Sequence, residues 1–243
     1  LLVESGNEIQ EATTGNVVEV VTEITPFYGE AGGQRGDSGK LIGSGENQTF
    51  EMKVSETVKD PTGLIIHKGQ IVSGSIRKGE TVTLVVDMEK RSAATRNHTA
   101  THILHSALRQ VLGDHVKQAG SFVAPERLRF DFTHFSQVDT ETLNRIETLV
   151  NRRIRENVPV QIEEMDAEAA FKTGATALFE EKYGDRVRVV SLSAFSKELC
   201  GGTHTNRTGD IGFFKIVGES SVSSGVRRIE ALTGEAALAY VQQ

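Results

Sequence analysis

The sequence holds a single cysteine, Cys200, among 243 residues, so no internal disulfide can form. A reducing, cytoplasmic setting fits, and the thiol is left free for metal or chemistry. Long apolar runs are also missing. Val17 to Val21 and Val82 to Val86 are strand-sized stretches, far short of the roughly 20 residues that cross a bilayer. No leader segment is expected at the start given, where Leu1-Leu2-Val3 meets Glu4 at once. Nor is there an excess of basic charge. The formal net charge is −6, which argues against a surface coated for indiscriminate nucleic-acid binding but leaves room for a local patch. Arg145, Arg152, Arg153 and Arg155 share one expected helix, and Arg227 and Arg228 are adjacent. The ordinary reading of the helical set is a solvated face with Glu147 and Glu156 as partners. No internal repeat or low-complexity tract is visible. The first residue is not methionine and the last falls inside an expected helix, so a piece of a longer polypeptide is expected.

Two parts are expected, 1–87 and 88–243. In the first, Val17 to Thr25, Thr49 to Ser55, Leu64 to His67, Gln70 to Gly74 and Thr81 to Asp87 read as short strands. Asp60-Pro61-Thr62-Gly63, His67-Lys68-Gly69 and Arg77-Lys78-Gly79-Glu80 read as the turns between them. That spacing suggests a small β-barrel or sandwich. Phe27 to Gly39 carries five glycines in thirteen residues, enough for positive φ and for close approach of backbone to a ligand. The Lys-Ser/Thr ending of a phosphate-binding Walker loop is absent.

At Met88 the period changes from two to 3.6. Glu89 to Leu112 reads as a helix with Ala100, Leu104, Ala107, Leu108 and Val111 on one stripe, stopped by Gly113-Asp114. Strands follow at Val116 to Val123 and Arg127 to Phe132. A second helix starts at Asp139 and runs to about Asn157, its stripe being Leu143, Ile146, Leu149, Val150 and Ile154, with Pro159 barring continuation. A strand at Val160 to Met165, a short helix near Ala167 to Thr173, and strands at Val187 to Leu192, Gly212 to Gly218 and Gly225 to Thr233 complete the reading. The elements mix without strict β-α-β alternation. The fold class expected is α+β, with helices packed on a mainly antiparallel sheet.

The sharpest chemical signal is His98-Thr99-Ala100-Thr101-His102. Four residues turn a helix by about 400°, so both imidazoles face the same way about one turn apart. The spacing matches zinc peptidases, but the glutamate that serves as their base is missing, which disfavours that chemistry. Far downstream stands Cys200-Gly201-Gly202-Thr203-His204, where two glycines allow a tight loop to aim thiol and imidazole at one point. A lone pair of this kind is often incidental. Jointly they make a Cys-His₃ set, a borderline-soft shell suited to Zn²⁺. Four protein ligands also describe a closed structural site. Catalysis would need a weak fourth ligand, five-coordination, or a role in which zinc positions the substrate. His105 shares roughly the same helix face and could support a ligand, although packing is its commoner role. Glu198 is the one carboxylate near either motif.

Three segments in order now become informative together: Pro26 to Gly39, Arg96-Asn97-His98-Thr99-Ala100-Thr101-His102 and Cys200-Gly201-Gly202-Thr203-His204. With Ser223 to Ala231 as a closing strand, they resemble the editing domain of alanyl-tRNA synthetases over essentially the whole chain. Free-standing alanyl-tRNA editing proteins, and more distantly the threonyl-tRNA synthetase editing domain, share the metal motifs. The resemblance implies a small β-barrel followed by an α+β editing core. It implies zinc ligands at His98, His102, Cys200 and His204, and an active-site glutamine at Gln118 whose amide can orient an ester carbonyl or a water. It implies roles for the intervening Thr99 and Thr101. Gly32, Gly33, Gln34, Arg96, Arg227 and Arg228 are the candidates for touching tRNA. The implied substrate is the tRNA for alanine mischarged with serine or glycine, and the implied reaction is hydrolysis of its ester. ATP would be used only by a part of the parent synthetase outside this sequence. A pocket for alanine cannot exclude glycine and rejects serine by only about 10²-fold, so a second, hydrolytic site has a purpose. A non-catalytic tRNA-binding module with a structural zinc, or a free-standing editing protein, are the alternatives.

Overall fold

The computed structural model describes residues 1–43, 50–176 and 185–243. The chain divides into two compact units, one of residues Leu1–Ala31 and Arg35–Arg91, the other of Gly32–Gln34 and Ser92–Gln243. Among the described residues no helix is long and apolar enough to cross a membrane.

The first unit is antiparallel β structure. Its strands are β1 (Leu2–Glu4), β2 (Asn7–Glu8), β3 (Glu11–Thr13), β4 (Val17–Val20), β5 (Gly39–Gly43), β6 (Glu51–Lys59), β7 (Ile65–Ser73), β8 (Ser75–Arg77) and β9 (Val82–Val86). One sheet has the order β2-β1-β4-β7-β6-β5-β9, and β3 pairs with β8. The expected barrel is therefore seen as an antiparallel sheet and a separate pair, with no ladder joining β2 to β9 among the described residues. Alternation buries Val18, Val20, Leu41, Met52, Val54 and Ile71 in one core, the period-two pattern of a sheet with one wet face. Thr49, the first residue of one expected strand, lies outside the described residues.

Two expectations fail here. His67-Lys68-Gly69 is no turn: it lies within one continuous strand, β7 (Ile65–Ser73), which takes in most of the two strands expected at Leu64 to His67 and Gln70 to Gly74. Gly69 faces Val54 across the ladder, and a Cβ there would run into the Lys53 carbonyl. The glycine serves close packing of backbone, not chain reversal. The strand expected over Val17 to Thr25 ends at Val20; Thr25 instead turns its hydroxyl onto the His67 ring, 2.8 Å away. The Asp60-to-Gly63 turn stands as expected, with Asp60 Oδ1 accepting from Thr62 N–H at 2.8 Å and Leu64 N–H at 2.9 Å.

The second unit takes up the long helix α1 (Met88–Leu112) from Ser92 onward. There follow β10 (Gln118–Val123), β11 (Leu128–Thr133), α2 (Thr140–Arg155), β12 (Gln161–Asp166), α3 (Ala167–Lys172), β13 (Arg186–Leu192), β14 (Ser196–Leu199), β15 (Phe214–Ser223), β16 (Val226–Thr233) and α4 (Gly234–Val241). A short 3-10 turn covers Thr208–Ile211. The sheets are β10-β11-β16-β15 and β12-β13-β14, antiparallel throughout. The fold is thus α+β with mostly antiparallel sheets.

The expected helical stripes face the core, with Val111, Leu143 and Leu149 only partly buried and Ile103 joining the α1 stripe. Ala100, Ile103, Leu104, Ala107 and Leu108 of α1 and Ile146, Val150 and Ile154 of α2 share a core with Leu128, Phe130, Phe132, Phe214 and Ile229 of the sheet. Asp139 caps α2 by accepting from Thr142 N–H at 2.8 Å. The basic face of α2 is partly self-paired, with Arg153 on Glu156 at 2.9 Å. Glu147 is not part of that face: it holds Lys215 at 3.0 Å and Ile216 N–H at 2.8 Å. Strand β14 has no expectation behind it, because Ser196-Lys197-Glu198-Leu199 is too short and too polar to read as one.

Candidate metal centre

Two elements of the second unit supply the centre. Helix α1 carries His98 and His102, 7% and 2% exposed, with rings stacked 5.3 Å apart at 16°. The loop after β14 carries Cys200 and His204. Its shape is set by Arg188 on β13, whose Nη1 donates to the carbonyls of Cys200 at 2.9 Å and Gly202 at 2.6 Å. Gly202 lies flat against His98: a Cβ there would overlap the His98 ring and stand 2.8 Å from Gln34 Oε1. The second glycine of the motif is therefore required for the loop to meet the helix.

One ligand atom from each of His98, His102, Cys200 and His204 lies within 4.8 Å of the others. Cys200 Sγ is 3.3 Å from both His98 Nε2 and His204 Nε2. The sets expected from the sequence to share one cation are thus brought together.

Behind each imidazole stands a group that holds its far nitrogen. His98 Nδ1 donates to Gln34 Oε1 at 2.7 Å. Gln34, fully buried, also accepts from Thr203 N–H at 2.9 Å and donates to Thr203 Oγ1 at 2.8 Å. His204 Nδ1 lies 3.2 Å from Thr99 Oγ1, whose own proton goes to Thr95 O at 2.9 Å. The threonine oxygen therefore accepts from the ring. His102 Nδ1 donates to Glu198 Oε2. With every Nδ1 so engaged, each Nε2 is the atom aimed at the common point, where a bound metal would take its lone pair in place of any proton it carries. His102 Nε2 is buried without a partner among the described residues. That orphan atom, the converging thiol and the three outward-held imidazoles are what a soft divalent ion needs.

Charge follows the same geometry. Burial opposes charging His102, but the Glu198 carboxylate and the Cys200 thiolate outweigh it and push its pKa up to about 10. Burial likewise opposes ionising Glu198, yet His102 and His105 hold it at about 2. Cys200 sits well below an ordinary thiol despite burial, through His98 and His102. Burial first, then the neighbouring His98, drops His204 to about 3. The cluster thus favours a thiolate, the form in which cysteine binds metals.

The remaining expected residues are placed as follows. Gln118 opens β10, and its Nε2 is buried without a partner among the described residues. Thr101 gives its hydroxyl proton back to Asn97 O at 2.9 Å within the helix. Gly32 and Gly33 take φ of +58° and +83°. Gly33 O accepts from Val123 N–H at 2.8 Å, which lays this segment along β10 and delivers Gln34 to His98. Arg96 packs beside Gly234, its Nε buried without a partner among the described residues. Arg227 is bidentate to Glu219 at 2.6 and 2.7 Å, and Arg228 to Asp131 at 2.7 and 2.8 Å.

Gln34, expected toward RNA, instead holds His98. Glu198, which has no expected role, holds His102, and Arg188 shapes the cysteine loop with no expectation behind it. A charged residue two places before the cysteine was the available signal for Glu198.

Comparison with known proteins agrees with this arrangement. Residues 187–230 match the family described as the second additional domain of threonyl and alanyl tRNA synthetases. Residues 1–90 match the class II (A) tRNA synthetases. The alanine–tRNA ligase of Desulfosudis oleivorans is 60% identical over 242 residues, covering 100% of this chain and 27% of that protein. Those of Carboxydothermus hydrogenoformans and Pelotomaculum thermopropionicum are 52% and 49% identical over 241 residues, again across 99% of this chain and 27% of theirs. The chain thus spans about a quarter of the length of the curated relatives it matches. At such identity across its whole length, and with the matched domain enclosing Cys200 and His204, the chain belongs to the alanine–tRNA ligase family.

Proposed function

We propose that this chain is the editing region of an alanine–tRNA ligase, holding Zn²⁺ on His98, His102, Cys200 and His204 and hydrolysing the ester of tRNA for alanine mischarged with serine or glycine. In the parent enzyme, attachment of alanine to tRNA with ATP belongs to other parts of the polypeptide. The observation that carries the reading is the Cys-His₃ cluster, with two members buried and two half-buried, whose every imidazole Nδ1 is held from behind.

Zinc, when bound, supplies positive charge that polarises an ester carbonyl or acidifies a water. The chain's own residues do the rest. Gln118 has a free amide donor and orients the ester carbonyl or the attacking water. Thr99 acts through His204, whose ring it holds, and Thr101 serves the helix backbone beneath the site. Glu198 is not the general base, since its two oxygens are taken by His102 and His105. That leaves Gln118 or a hydroxyl of the RNA itself to place the water. Gly32, Gly33, Arg96, Arg227 and Arg228 are assigned to the RNA side, and Gln34 serves the metal side.

The test is incubation of the chain with Ser-tRNA for alanine, with and without a chelator, following release of serine. Hydrolysis that the chelator abolishes and zinc restores supports the reading. Binding of the tRNA without hydrolysis under either condition would leave a tRNA-binding module with a structural metal.

A further inference from the structure

Three histidines lie along one face of α1, and only two of them belong to the Cys-His₃ cluster. The third, His105, is 3% exposed and packs its ring 5.3 Å from that of Phe130. Its Nδ1 donates to Glu198 Oε1 at 2.6 Å, while the other oxygen of the same carboxylate takes His102 Nδ1. Glu198 itself is 4% exposed, on strand β14. From these contacts we infer that His105 and Glu198 are a positioning pair that fixes the tautomer and tilt of His102, and so the direction of its Nε2 toward the metal. The inference rests on the metal-binding part of the reading above.

A carboxylate held by one imidazole alone can rotate about its last bond and let that imidazole swing with it. Held at both oxygens by two rings on one rigid helix, its plane is fixed. Both partners then present N–H to it, which commits each ring to carrying its proton on Nδ1. For His102 this leaves Nε2 as the atom whose lone pair a metal takes once the proton there is displaced. Outer partners of this kind orient ligands and raise their basicity.

Packing alone does not account for His105. Its Nε2 is buried without a partner among the described residues. An aliphatic side chain would fill the space beside Phe130 without stranding a polar atom. The one thing a histidine adds there is the Nδ1–H that meets Glu198.

The experiment measures zinc affinity of the purified chain by competition with a chromophoric chelator, together with the visible ligand-field bands of the Co²⁺ form. His105→Leu removes the donor and keeps the bulk; we expect about tenfold weaker zinc binding and a shifted Co²⁺ spectrum. His105→Asn keeps an N–H at nearly the same position and should restore both. Glu198→Gln sets an amide N–H against a ring N–H, forcing one imidazole to change tautomer; the loss should reach roughly 10- to 100-fold. Glu198→Gln is close to isosteric, so it tests the idea even if His105→Leu does not fold. If His105→Leu or Glu198→Gln binds zinc as the unaltered chain does, with an unchanged Co²⁺ spectrum and only a lower melting temperature, the pair is structural and the inference is overturned. If the unaltered chain itself takes up no zinc, the metal reading has failed first, and the two failures are told apart by that control.

Discussion

Each unit of the molecule buries a histidine of the same chemistry to opposite effect. In the first unit His67 is fully buried, and both its nitrogens are satisfied. Nδ1 donates to Val20 O at 2.9 Å, and Nε2 accepts from the Thr25 hydroxyl at 2.8 Å. In the second unit His98, His102 and His204 are each held at Nδ1 while their Nε2 atoms converge on one thiol, which meets two of them at 3.3 Å and leaves His102 Nε2 without a partner among the described residues. Burial alone therefore does not mark a site. The mark is a set of ligand atoms aimed at one point with a buried member left open there, His102 Nε2, since an open buried atom costs stability unless a ligand completes it.

The largest effect expected from this contrast comes from removing a ligand. Cys200→Ala or His98→Ala should cost more zinc affinity than the roughly 10- to 100-fold of an outer partner, and should abolish release of serine from Ser-tRNA. Metal analysis after dialysis checks the first and a deacylation assay the second. Full activity in a zinc-free double variant would refute the scheme. Gly202→Ala ranks next: its methyl overlaps the His98 ring, so the loop must withdraw from the helix and zinc retention should fall although no ligand is changed.

The first unit contains a largely buried ion pair. Asp37, 6% exposed, accepts from Tyr28 N–H at 2.6 Å and from Arg91 Nε at 2.7 Å. Removing one partner of such a pair strands the other, at about 3 kcal/mol. Asp37→Ala should lower the unfolding free energy by that order in urea melts. A smaller loss would mean that solvent reaches Arg91 and replaces its partner.

How far the sequence could be read follows the same division. Long helices and the Cys-His₃ motif were legible because period and ligand spacing are local properties of a chain. The ring-holding groups were not. Gln34 meets His98 across a separation of 64 residues, and Glu198 meets His102 across 96, distances over which a single sequence carries no pairing signal. Glu198 also sits on a four-residue strand whose pattern is mostly polar. Gly69 misled in the opposite way: glycine inside an apolar stretch reads as a turn, whereas here it lets two strands approach.

A smaller effect sharpens the histidine comparison through pH. Burial lowers the pKa of His67, partly offset by its bond to Val20 O. The folded value thus lies below the ~6.5 of a free imidazole. As pH falls through that range the unfolded chain takes up the proton first, so stability is full above about pH 7 and declines as pH drops toward the folded value. An NMR titration should show the His67 ring neutral where a free imidazole is half protonated. Replacing it by asparagine should flatten the pH dependence of unfolding over the same interval.

The smallest effect concerns Arg228, where the fold and the proposed RNA role compete for one side chain. Its guanidinium is bidentate to Asp131 on the neighbouring strand β11, and the side chain is 29% exposed. Asp131 is buried, but Arg129 also lies 3.7 Å from it, so its charge is not stranded and Arg228→Ala should lower stability by no more than about 1 kcal/mol, a small shift in melting temperature. A phosphate contact has a different signature. Losing one weakens binding across RNA sequences and reduces the slope of affinity against salt by about 1. Titrating tRNA against the unaltered chain and Arg228→Ala at several salt concentrations separates the two roles. An unchanged slope would assign this arginine to the sheet and its pair with Asp131. A reduced slope with an unchanged melting temperature would show that the guanidinium leaves Asp131 for the phosphate at little cost to the fold, as expected where the pair stabilises the sheet only weakly.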